Sequence, residues 1–129
     1  METVLANLLL AHAPLAALVE QNIDWDEAPQ GIEAPLIVMF LISTEPTYTY
    51  SGPVKLVGRR VQFDCRGRTR EVARQIAEAL DAKLSGYRGE FEGVRFGGAF
   101  KQGHRTRART EASSWFTASV DYLIWSATA

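Results

Sequence analysis

A chain of 129 residues, 47% hydrophobic and 22% charged, can bury the core of one soluble domain and lacks the bias of a disordered or collagen-like sequence. Its single cysteine, Cys65, excludes an intrachain disulfide and a cysteine-based zinc cluster and reads as a small buried hydrophobe. The net charge of -1 hides a division: residues 1–54 carry seven acids and no Lys or Arg, residues 55–109 carry all 14 bases against six acids, and residues 110–129 carry two acids. Oppositely charged blocks of this kind suit head-to-tail association or steering toward an anion.

The opening "METVLANLLLAHAPLAALVEQ" reads as two short amphipathic core helices. No base precedes Lys55, so the basic n-region of a signal peptide is missing, and Asn7, His12 and Pro14 interrupt the apolar run short of a membrane span. Pro14 suits the first turn of the second helix, with His12 near its cap. "NIDWDEAPQGIEAP" reads as a connection, and "LIVMFLIS" (residues 36–43) as a strand covered on both faces.

"TEPTYTYSGP" is a loop, and "VKLVGRRVQFDC" alternates as a strand with one covered face: Val57, Val61, Phe63 and Cys65 inward, Gly58, Arg60, Gln62 and Asp64 outward. In "TREVARQIAEALDAKLSG" the four-residue spacing of Val72, Ile76, Leu80 and Leu84 predicts a helix, with Gly86 as a left-handed cap. "GVRFGGAFKQ" is a third strand with a bulge or close approach at Gly97-Gly98. "WFTASVDYLIW" is a fourth, with Phe116, Ala118, Val120, Tyr122 and Ile124 on one face and Thr117, Ser119 and Asp121 on the polar other. The predicted fold is α+β, a four-stranded mostly antiparallel sheet with helices packed on one face, in the order α-α-β-β-α-β-β.

Catalytic chemistry finds little here. General acid or base work favours His or paired carboxylates, and His12 and His104, the two histidines, sit in no recognisable constellation. "DWDEAP" lacks the further oxygen ligands and closing Glu of a calcium loop. "GYRG" and "VRFGGAF" are weak echoes of RNA-binding modules, and no Gly-rich phosphate cradle is present. No catalytic, metal or cofactor-binding residue is therefore expected. Arg59, Arg60, Arg66, Arg68, Arg70, Arg74 and the cluster from 101 to 109 could neutralise phosphates, so a nucleic-acid-binding module using residues 55–109 is the alternative reading. Those arginines alternate with Thr, Gly and Ala instead of stacking aromatics, and bidentate pairing with an acidic neighbouring subunit fits them better.

Taken in order, "LLLAHAPLAALV", "APQGIEAPLIVMF", "VQFDC", "TREVARQIAEALDAKL", "GVRF" and "SVDYLIW" resemble the tail completion, or tail terminator, proteins of long-tailed bacteriophages and gene transfer agents. The likeness spans nearly the whole chain, 1–129 as a single domain, and departs from the pattern at Cys65 and His12. It implies a non-enzymatic virion protein, assembled in the bacterial cytoplasm with no membrane involvement. That protein forms a ring of typically six copies of itself on the tail tube protein, stopping tube growth and meeting the head-tail connector protein. Within such a ring Tyr48, Tyr50, Arg59 and Arg60 are expected at subunit contacts. Lys101, at the end of the third strand, and His104, Arg105, Arg107 and Arg109, in the hairpin loop of residues 103–112 between the third and fourth strands, are expected to dock on an adjacent ring or to line a channel where DNA passes without sequence reading.

Overall fold

The computed structural model describes residues 2–19, 22–26, 35–44, 57–107 and 116–128. Two short helices, α1 (Glu2–Leu10) and α2 (Ala13–Val19), meet at His12, whose carbonyl accepts from the amides of Leu15 at 3.1 Å and Ala16 at 3.0 Å. Pro14 falls in the first turn of α2, where its missing donor costs nothing. The strands are β1 (Ile23–Trp25), β2 (Leu36–Thr44), β3 (Val57–Gly67), β4 (Gly89–Phe91), β5 (Val94–Arg107) and β6 (Phe116–Thr128), and α3 (Arg70–Leu84) lies between β3 and β4. They form one sheet in the order β1-β2-β3-β6-β5-β4, antiparallel except for the β1–β2 pair. The α+β class and both expected hairpins, β2–β3 and β5–β6, are present; the expected four strands become six.

The two extra strands have three residues each. β4 joins β5 through Glu92 (φ 48°) and Gly93 (φ 80°). Two successive positive φ values match the right-handed twist of the flanking strands, and Gly93 takes its share without steric cost.

Helix α3 starts where the Thr69 hydroxyl accepts from the Val72 amide at 3.2 Å, and ends with Gly86 at φ 72°, its amide donating to Ala99 of β5 at 2.8 Å. Ala73, Ile76, Ala77, Leu80 and Leu84 are buried, while Val72 is only partly so. They pack with Leu5, Leu8, Leu9, Leu15 and Val19 of the first two helices on the sheet face bearing Ile37, Met39, Val61, Phe63, Cys65, Val120, Tyr122 and Ile124. Burial of each large aliphatic side chain there contributes about 1.5–3 kcal/mol.

On the opposite face, alternation predicts polar side chains in water. Instead Asp64, Thr117, Ser119 and Asp121 are buried, and Leu36 and Val38 are buried beside them. Long side chains close over short ones: Gln62 donates to the Asp64 carboxylate at 2.9 Å, Ser119 at 2.7 Å, and the Arg66 guanidinium lies 3.7 Å away. These partners offset the desolvation of the Asp64 carboxylate. β3 is thus covered on both faces at its centre, a correction to the single covered face expected. β2 is covered on both faces only from Leu36 to Met39, and residues 41–44 are exposed.

Candidate subunit interface

Among the described residues no group of His, Cys, Asp or Glu could hold a metal ion, and no helix is long and apolar enough to cross a membrane. The surfaces that stand out are the two margins of the sheet. β1 pairs only with residues 37–39 of β2, and β4 only with residues 94–96 of β5. Among the described residues this leaves the outer sides of residues 40–44 and 98–107 without a paired strand. Open strand edges are templates for another chain unless blunted by charge, bulges or cover.

The β2 margin exposes Leu41 and Ile42 and is bulged between Leu41 and Ser43. The β5 margin is bulged twice, at Phe96/Gly98 and Lys101/Gly103. The first bulge lies at the glycine pair singled out from the sequence; a Cβ on Gly98 would sit 2.9 Å from the ring of Phe100, which is itself exposed. The margins also differ in charge: Asp24 and Asp26 flank β2, with no base in residues 1–54, whereas residues 94–109 hold bases and no acid.

The expected site residues separate. Arg59 and Arg60 lie on β3 inside the sheet, Arg59 donating to the Ser126 hydroxyl at 3.2 Å and Arg60 pairing with Asp121 at 3.4 Å. Lys101 reaches back to Asp81 of α3 at 2.8 Å. Asp81 also accepts from the buried Tyr122 hydroxyl, so one carboxylate fastens helix, β5 and β6 together. Burial, and then this hydrogen bond, push the Tyr122 phenol well above its ordinary value; burial raises Cys65 likewise, with the Asp64 charge second.

His104 is exposed on β5, and Arg105 and Arg107 continue that strand in register with Ser119 and Thr117. The hairpin loop expected over residues 103–112 is therefore strand as far as Arg107: β6 supplies a pairing partner, which overrides the loop-like mixture of charge and glycine. Tyr48, Tyr50 and Arg109 lie outside the described residues.

The short strands and the Asp81 contacts escaped the sequence reading. Glu92-Gly93 between two strand-like triplets was the available signal for β4. Asp24, within the stretch expected to be a connection, stands in β1.

The described residues thus form an α+β domain whose sheet margins differ in charge, and they bring no catalytic constellation together. Residues 3–127 match the family described as Tail completion protein gp17, and the chain belongs to that family of structural virion tail proteins. Among curated proteins nothing matches. A chain of the solved structure described as "Virion of native gene transfer agent (GTA) particle" is similar in fold, with a TM-score of 0.67 over 98% of this chain and 94% of that one at 18% identity.

Proposed function

We propose that the protein works as one domain, closes with further copies of itself into a ring of six, seats on the last ring of the tail tube, and joins it to the head-tail connector. The observation that carries this reading is the pair of margins left unpaired among the described residues, one acidic and one basic, on opposite sides of a single sheet. Two different patches make heterologous contacts, and a heterologous contact with a suitable rotation closes into a ring. Family membership supplies the tail, and the virion that holds the similar fold supplies a setting of the same kind.

The test is electron microscopy of the protein mixed with purified tail tubes: collars at one tube end support the reading, and bare or side-decorated tubes end it. The nucleic-acid alternative loses weight because Arg60 and Arg66 are engaged by Asp121 and Asp64. Salt-titrated DNA binding addresses it directly, since several phosphate contacts give a steep dependence on salt.

A further inference from the structure

The registers relate the two margins by height. Asp24 stands level with Val38, Val38 with Asp64, Asp64 with Ser119, and Ser119 with Arg105. β1 therefore projects from one side at the level of Ala118–Val120, while β4 projects from the other at the level of Ser126–Thr128. At the height of β1, the far margin of the sheet is the stretch 103–107 of β5, which no strand among the described residues pairs on its outer side.

We infer that the β1 margin of one copy docks along residues 103–107 of β5 in the next copy, setting Asp24 and Asp26 against positions 105 and 107, both arginine. The inference rests on the ring reading and names its contact. Direction supports it: β1 runs with β2, and β5 runs against it, so a neighbour brought round by a rotation axis along the strands meets β5 antiparallel. Charge supports it as well. Asp24 lies partly exposed and Asp26 fully so, and neither takes an ion pair among the described residues. Asp24 shares, by register, the sheet face of positions 105 and 107, so opposite charges fall side by side across the join, where cross-strand pairs stabilise a sheet. Asp26 adopts φ 69°, outside the extended range of a strand, and β1 is a tab of 3 residues.

Cysteine pairing in the full-length protein tests the contact, because Cys65 is fully buried with its thiol pushed up by burial and stays silent. Asp24→Cys and Arg105→Cys chains, mixed on tail tubes and mildly oxidised, should give a mixed dimer at least tenfold in excess of either like pair. A chain carrying both changes should give a ladder ending in a closed covalent ring. Reversing Asp24 and Asp26 to Arg should abolish collars, and adding Arg105→Asp and Arg107→Asp should restore them, with thermal unfolding checking that each chain folds. Like-with-like pairing, collars without the mixed dimer, or reversed chains that keep their collars and lose only DNA binding overturn the inference while leaving the ring. Tubes without collars in the unaltered protein overturn both.

Discussion

Asp81 ties α3 to two strands at once, since Tyr122 and Lys101 both end on it from different strands. Asp81→Ala strands a buried phenol and should lower stability by about 2 kcal/mol in urea unfolding; Lys101→Met, on the exposed rim of the same contact, should cost much less. Alkaline pH should act on the same region. Cys65 and Tyr122 are both raised from ordinary values of 9.0 and 10.0, so the unfolded chain gives up those protons before the folded one does. Their contribution is complete below those values and is lost as pH climbs past them. The unfolding midpoint should therefore fall above about pH 9, and the pair Cys65→Ala with Tyr122→Phe should flatten that fall. None of this was visible in sequence, because Asp81 occupies an ordinary polar position of an amphipathic helix and its partners are remote in the chain.

Helix α3 is tied to β3 through a glycine. A Cβ on Gly67 would come within 2.8 Å of the Ala73 amide nitrogen and of a Val72 methyl. Backbone cannot swing aside as a side-chain tip can, so Gly67→Ala should push the first turn of α3 off the sheet at a cost of about 1–3 kcal/mol. Thr69→Ala, which removes only the cap, should cost about 1 kcal/mol; urea titration of the two variants would rank them. Elements of this length were legible beforehand: the four-residue spacing through Ile76, Leu80 and Leu84 runs over several turns and admits one answer. β1 and β4 were not, since three residues hold too little alternation to register against the turn residues around them. The polar face of β6 was misjudged for another reason, that alternation reports the chemistry of a side chain and not whether Arg60, Gln62 and Arg66 will fold over it. The proposed interface was half legible: the division of charge along the chain was plain, but which residues form a margin depends on strand order.

For the molecule as a whole, separation of margin from core predicts separable phenotypes. Changing Arg105, Arg107 and Arg109 together to Ser should leave the domain folded in urea unfolding and, on the ring reading, should sharply reduce collar formation on tail tubes. Replacing Ile76, fully buried on the core-facing side of α3, with Ala should do the reverse, costing about 2–5 kcal/mol while collars still form from whatever fraction stays folded. Staggering of the outermost strands also carries a mechanical corollary. Were both flanks smooth, adjoining copies could creep along the strand axis and wind into an endless spiral. On the proposed docking, with β1 set low and β4 set high, an adjoining copy that rises drives its tab toward β4. In a ring joined as proposed, that stop favours level seating, and a level circle, unlike a spiral, offers no step from which a tube could resume lengthening.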